Sequence, residues 1–311
     1  MEFNCPWVRR NAFTNCFENP LTHTKYLGVH KLMERWMMRA GQTLELYHKL
    51  LDSDKSVSKK CKRGFANGME FGEMLHDQVA LLLRLGHWEK KHTECHCLQA
   101  LMNAIQRRGW TALQGDVKVA DRRLKIATGV DLLASTATNA FRIIEIKVYK
   151  TFEVADTEET EFGNLKPPFD VMLCTTGWLA GVQACLTMFM FQQAFPNRDS
   201  LNDEAWVAII SRDEEKCQLR PVSGTARAAA GYVLMLHKAS TCDLKKGQNL
   251  VAAAYNDARR HRTSFDKEYA KRKRAKTQTQ INQHQMRVEL VWKLLEDLID
   301  VGPTNIVRKL L

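Results

Sequence analysis

Apolar and polar positions alternate along the middle of the chain in two rhythms. From Phe65 to Leu85 the apolar residues Val79, Leu82 and Leu83 recur at helical intervals, and Thr93 to Arg108 does the same through Leu98, Leu101, Met102 and Ile105. The rhythm then shortens. Trp110 to Val119 reads as a strand, Asp121–Arg123 as a turn, and Leu124 to Ala127 as a strand running on to Asp131. Small residues from Ala134 to Ala140 predict a reversal, and Phe141 to Tyr149 a second strand of the same hairpin. Thr151 to Phe169 is acidic and predicts a loop. Next come a buried helix from about Thr175 to Phe191, a strand at Trp206–Ile210, a turn at Asp213–Glu215, a strand at Gln218–Arg220, and helix again from Thr225. Upstream, residues 1–22 read as an irregular, extended arm, packed on the body or partly disordered, and Lys25 to Leu51 as a helix. Downstream, Gln285 to Asp300 is an amphipathic helix able to pack back or to join two copies of the chain.

The hairpin carries the chemistry. In Phe141–Tyr149 the side chains of Glu145 and Lys147 share one face, and Ile144, Ile146 and Val148 share the other. An acid and an amine inside so apolar a run are costly to bury unless paired or used. Asp131, on the preceding strand, is placed to stand beside Glu145, and converging carboxylates suit a hard divalent cation. Asp116 and Asp121 are competing acids that read as nearer to turns. On the helix before the hairpin, Gly72 and His76 lie one turn apart as G-x-x-x-H. Gln183 is the strongly polar side chain in the middle of the later buried helix.

Asp131 followed by Glu145-Ile146-Lys147 resembles the core signature of the PD-(D/E)xK nuclease superfamily, with Val130 where that name has proline. The G-x-x-x-H at Gly72–His76 and the glutamine at Gln183 are similar to motifs of its RecB-like, lambda-exonuclease-like branch, which includes mitochondrial genome-maintenance exonucleases. Thr187 stands where that branch usually has tyrosine. The resemblance spans about residues 65–222 and implies an α/β fold with a restriction-endonuclease-like core, a mixed central sheet flanked by helices, and added N- and C-terminal helices. The implied division is an arm and helical extension at 1–64, a nuclease core at 65–222 and a basic helical region at 223–311. The implied activity is magnesium- or manganese-dependent hydrolysis of DNA, more as an exonuclease than an endonuclease, in replication, recombination or genome maintenance. Asp131, Glu145, Lys147 and Gln183 are then catalytic, and His76, Asp131, Glu145 and the Ile146 carbonyl hold the metal. The alternative is a nucleic-acid-binding or assembly protein that keeps the fold without catalysis.

Charge strengthens the nucleic-acid expectation. The 311 residues hold 46 Lys and Arg against 35 Asp and Glu, a net +11, and a basic balance favours a polyanionic partner. Much of it lies in Arg259, Arg260, Arg262, Lys271, Arg272, Lys273, Arg274 and Lys276, the expected contacts to a DNA backbone, single- or double-stranded, with RNA left open. Lys271–Lys276 also has the look of a nuclear-localisation signal, and the early basic pair keeps a mitochondrial address open. No apolar run has the length of a membrane span, so no membrane partner is expected. The nine cysteines are scattered and read as reduced thiols. Cys95-His96-Cys97 lacks a second ligand pair for zinc, and Cys217 and Cys242 are too few and too far apart for an iron–sulfur cluster.

Overall fold

The computed structural model describes residues 3, 5–11, 16–38, 68–85, 96–156, 165, 169, 175–195 and 203–242. They form a mixed α/β structure around a mixed sheet. Its spine is the strand β5 (Ile126–Ser135), which pairs antiparallel along its length with β4 (Thr111–Asp121). The other edge of β5 is shared. At its start, Ile126 and Ala127 pair parallel with Leu27 and Gly28 of β3 (Lys25–Gly28). At its end, Leu132–Ser135 pair antiparallel with Ile144–Phe141 of β6 (Phe141–Tyr149). Thr128 to Asp131 lie between these two ladders. The sheet continues as β7 (Glu204–Ser211), parallel to β6, and β8 (Lys216–Pro221), antiparallel to β7. After its first residue β7 is buried throughout, as expected of a parallel strand covered on both faces.

Helices cover both faces. On one lie α1 (Val29–Met37), α5 (Thr176–Ala194) and α6 (Gly224–Cys242), packed against Val117, Val130, Leu133, Ile143 and Val207. On the other lie α2 (Gly68–Leu85) and α3 (His96–Arg107), packed against Leu132, Ile144, Ile146 and Ala208. A short α4 (Phe152–Asp156) follows β6 in the segment expected to be loop. The start of α5 is set by Thr175, whose hydroxyl oxygen accepts the Trp178 N–H at 3.0 Å. The helix is apolar on all sides and buried along most of its length.

The first segment departs from expectation. Where residues 1–22 are described, the arm packs on the body, and part of it is strand rather than irregular. β1 (Arg9–Asn11) and β2 (Cys16–Glu18) pair with each other, and β2 pairs with β3. The Phe3 N–H donates to Gln114 Oε1 at 2.9 Å and its carbonyl accepts from Gln114 Nε2 at 3.2 Å. Lys25–Gly28 is strand rather than the first turn of a helix, because its backbone groups find partners on β2 and β5. Helix begins only at Val29, after an extended Gly28. The described part of the arm and α1 thus join the sheet and the core.

One glycine fixes how close α2 comes. A Cβ on Gly115 of β4 would lie 2.8 Å from Ala80 Cα and 3.0 Å from Ala80 N, both backbone atoms of α2. Only glycine admits that approach, and His76 lies one turn before Ala80 on the same helix.

Candidate functional site

The regular pleat breaks halfway along β4 and β5. Gly115 pairs with Leu132 and Val117 with Val130, which sets Asp116 opposite Asp131. Asp116 has φ 53°, the left-handed region. Strict alternation from Leu132, which packs with α2 and α3, would send Val130 to that same face. Instead Val130 packs with Leu133 against α5. At this break Asp131 leaves the ladder and uses its side chain in place of its backbone. Its Oδ2 accepts the Ile146 N–H at 2.9 Å, just beyond the last β5–β6 pair, Leu132 with Ile144. A buried N–H left without that acceptor would cost about 1–3 kcal/mol.

Around this fork the expected residues meet. Glu145 is 2% exposed, and its Oε1 accepts from Lys147 Nζ at 2.8 Å. The Asp131 and Glu145 carboxyls are within hydrogen-bonding reach of each other. His76 reaches over from α2. Its Nε2 lies 3.2 Å from the Ile146 carbonyl oxygen and its Nδ1 lies 3.5 Å from Asp131 Oδ1. A carbonyl only accepts, so Nε2 carries the proton. A neutral His76 then turns the Nδ1 lone pair toward a carboxylate oxygen, an arrangement that needs a proton or a cation between the two. Gln183, 9% exposed on α5, hydrogen-bonds His30 of α1.

Burial and the neighbouring charges shift these groups. Burial first, then the Asp131 charge, push Glu145 from 4.5 up to about 7, against a partial offset from Lys147. Burial also raises Asp131, with Lys147 opposing. At Lys147 burial works against the charged amine, but Glu145 and Asp131 outweigh it and hold its pKa above the ordinary lysine value. His76, half-buried, is held below the usual imidazole range by its partial burial first and by Lys147 second, while His30 lies exposed at the start of α1.

Among the described residues no group of three or more His, Cys, Asp or Glu side chains gathers closely enough to ligate one ion. The donors on hand are the two carboxylates and the Ile146 carbonyl, with His76 already engaging two of these three. Hard oxygen donors of this kind fit magnesium or manganese, and a cation would relieve both the crowding that raises the Glu145 pKa and the facing lone pairs at His76.

One neighbour of the site, His30, is not singled out by sequence patterns, and those patterns rank Asp116 below Asp131 as nearer a turn. His30 opens α1 and comes near Lys147 and Glu145 through the pairing of β3 with β5. Asp116 lies mid-strand instead of at a turn, forms a close ion pair with Lys118, and adds to the rise of Asp131. Its signal in the sequence is the pair Gly115-Asp116 inside an otherwise regular strand. Asp121 has a different task. Its Oδ1 accepts the Arg123 and Leu124 N–H groups at 2.7 and 3.0 Å and so turns β4 into β5. Thr187 is 1% exposed within α5. Cys97 is buried on α3 while His96 is exposed, as helical spacing implies. The basic residues Arg259, Arg260, Arg262, Lys271, Arg272, Lys273, Arg274 and Lys276, and the amphipathic stretch 285–300, lie outside the described residues. No helix among the described residues is long and apolar enough to cross a membrane. Compared with models of protein families and with curated proteins, the sequence matches none, and the functional reading is carried by the fork itself.

Proposed function

We propose that the protein is a metal-dependent nuclease of the PD-(D/E)xK type that hydrolyses phosphodiester bonds in DNA, working from strand ends, on a restriction-endonuclease-like core. One observation carries this reading: the Asp131 and Glu145 carboxyls and the Lys147 amine converge where β5 and β6 part. A purely structural Glu–Lys pair would not need a second carboxyl beside it, and the second one makes the group costlier to bury.

Asp131, Glu145 and the Ile146 carbonyl would hold a magnesium or manganese ion with His76 alongside, and such an ion supplies a water of lowered pKa and counter-charge for a phosphate. The protein's own groups do the placing. Asp131 is fixed by the Ile146 N–H at Oδ2, so Oδ1, facing His76, keeps one direction. Lys147, held cationic by both carboxylates, offers its N–H groups to a phosphate oxygen that gains charge as the bond breaks. Neutral His76 fixes the Ile146 carbonyl by donating to it. Gln183, buried on α5 and bonded to His30, would orient the ligands or the strand. The basic segment from Arg259 to Lys276 would hold the DNA backbone without reading its sequence.

The decisive experiment is digestion of end-labelled linear and closed circular DNA with magnesium or manganese, wild type beside Glu145→Ala. Metal-dependent cleavage of the linear DNA alone, lost in the variant, is expected. Tight binding with no cleavage of either substrate would replace the nuclease reading with that of a DNA-binding protein that keeps the fold.

A further inference from the structure

A second imidazole stands beside the fork, and the nuclease reading uses it only as a partner for Gln183. β3 runs parallel to β5 and ends where Gly28 pairs with Ala127. The chain there leaves the sheet and turns into α1, just as β5 enters its stretch between the two ladders, Thr128 to Asp131. His30, two residues past Gly28, stands at the mouth of that gap, with Lys147 and Glu145 as charged neighbours.

The pleat decides which face it meets. Ile144 and Ile146 pack with α2 and α3. Glu145 and Lys147 alternate with them and so point to the other face, the one covered by α1 and α5. His76 comes to this pair from α2 and His30 from α1, so two imidazoles from opposite sides of the sheet share Glu145 and Lys147 as neighbours. The two are not equivalent. His76 has Nε2 on the Ile146 carbonyl and Nδ1 toward Asp131, so both its nitrogens are committed within the fork. His30 is bonded to Gln183 and stays exposed. Its own helix makes another use of its one acid: Glu34, one turn along, pairs with Lys31 at 2.7 Å. An imidazole has an N–H to give in either charge state, so His30 is the group of the two that can reach a bound molecule.

We infer that His30 is a further catalytic residue: the Gln183 amide donates to one of its ring nitrogens, and the other donates its N–H to a non-bridging oxygen of the phosphodiester held at Lys147. The inference rests on the nuclease reading and adds to it that α1, which precedes the region of resemblance, completes the site. A phosphate gains charge on its non-bridging oxygens as the bond breaks, and a fixed donor beside the Lys147 cation stabilises that charge from a second direction.

The test is initial rates on end-labelled linear DNA with manganese for the full chain, wild type beside His30→Ala and His30→Asn. Manganese binding to each protein alone is read from the EPR signal of the free ion. His30→Ala should lower kcat and kcat/KM together by about tenfold to a hundredfold, less than a water-excluded donor would cost because His30 is exposed. His30→Asn keeps a donor and should recover part of the loss. Manganese affinity and the thermal midpoint should stay at their wild-type values, which a metal ligand or a merely structural residue would not allow. In a Gln183→Ala background His30→Ala should still lower turnover, whereas a residue that only braces Gln183 would cost nothing more there. Wild-type rates in His30→Ala, a fall in manganese affinity that accounts for the lost rate, or no added loss on Gln183→Ala each overturns the inference, and the nuclease reading stands as long as Glu145→Ala is inactive. If the wild type does not cut, the nuclease reading fails and the inference falls with it.

Discussion

The two ends of the β5–β6 hairpin are built by different means. At the turn end, Leu132–Ser135 and Phe141–Ile144 close a regular backbone ladder. The reversal is finished by Thr136 N–H to Ala140 carbonyl at 2.9 Å and Asn139 N–H to Thr136 carbonyl at 3.0 Å. Its buried side chains are apolar: Leu132, Leu133, Ala134, Ile143 and Ile144. At the open end a carboxylate takes over a backbone acceptor's part, and the side chains packed there are two acids, an amine and an imidazole. The turn end is assembled to be stable. The open end keeps two carboxyls together that would be more stable apart, and the turn end helps hold them there.

Substitutions should separate the two ends most sharply by activity. Glu145→Ala and Lys147→Ala are each expected to lower metal-dependent cleavage by about a hundredfold or more, with DNA binding retained. Leu133→Ala, fully buried at the turn end, should instead cost about 2–5 kcal/mol of stability while the molecules that fold keep their turnover. Turnover per folded molecule, with denaturant curves for all three, checks both halves. A loss of stability without loss of turnover in Glu145→Ala would erase the distinction.

Gly115 ties the open end to α2. Gly115→Val should destabilise the fold by about 1–3 kcal/mol, since its side chain must push backbone rather than a flexible tip. It should also reduce cleavage beyond the loss of folded protein, because Ala80 and His76 move on one helix. Asp131 sharpens the contrast next. Asp131→Ala leaves the Ile146 N–H without its acceptor and should cost about 1–3 kcal/mol, whereas Asp131→Asn offers an amide oxygen there and should recover most of that stability but not the cleavage. Denaturant midpoints beside cleavage rates separate the two roles.

Proton uptake gives a milder probe of the same crowding. In metal-free protein Glu145 should titrate near 7 instead of 4.5. The fold then holds this proton more tightly than the unfolded chain. The stability it contributes is complete below about 4.5 and is lost as pH rises through about 7. An infrared carboxyl band that titrates near 7, vanishes in Glu145→Gln and shifts to lower pH with added magnesium is expected. A band near 4.5 would mean that the two carboxylates do not share one enclosed space.

What the sequence discloses follows the same division. The hairpin, α2 from its apolar stripe, α5 from its Thr175 start and the pair β7–β8 are legible because each rests on local periodicity or capping. So is the face shared by Glu145 and Lys147, which needs only the pleat. The first strands are not legible. β1, β2 and β3 are three or four residues long and owe their form to partners elsewhere, so Leu27 reads as the start of a helical stripe when it is paired with Ile126. His30 is hidden for the same reason, since nothing near it in the chain predicts Lys147 as a neighbour. The break at Asp116 is hidden because a left-handed aspartate inside a strand leaves little trace in composition.

Gly72 supplies the finest test, because sequence and structure give it different reasons to be glycine. In the G-x-x-x-H pattern it is paired with His76. In the structure a Cβ there would meet nothing within 4 Å, in contrast with the crowded Gly115. Packing therefore does not require glycine at 72, and a helix-interior glycine costs roughly 0.5–1 kcal/mol relative to alanine. Gly72→Ala should raise stability by about that amount, seen as a higher denaturant midpoint with an unchanged slope. If cleavage is also unchanged, the pattern is only a helical spacing and His76 alone carries its meaning. If the variant is more stable yet cuts more slowly, the open space above Gly72 is where substrate passes, and the glycine is kept at a cost in stability so that a strand can reach the fork.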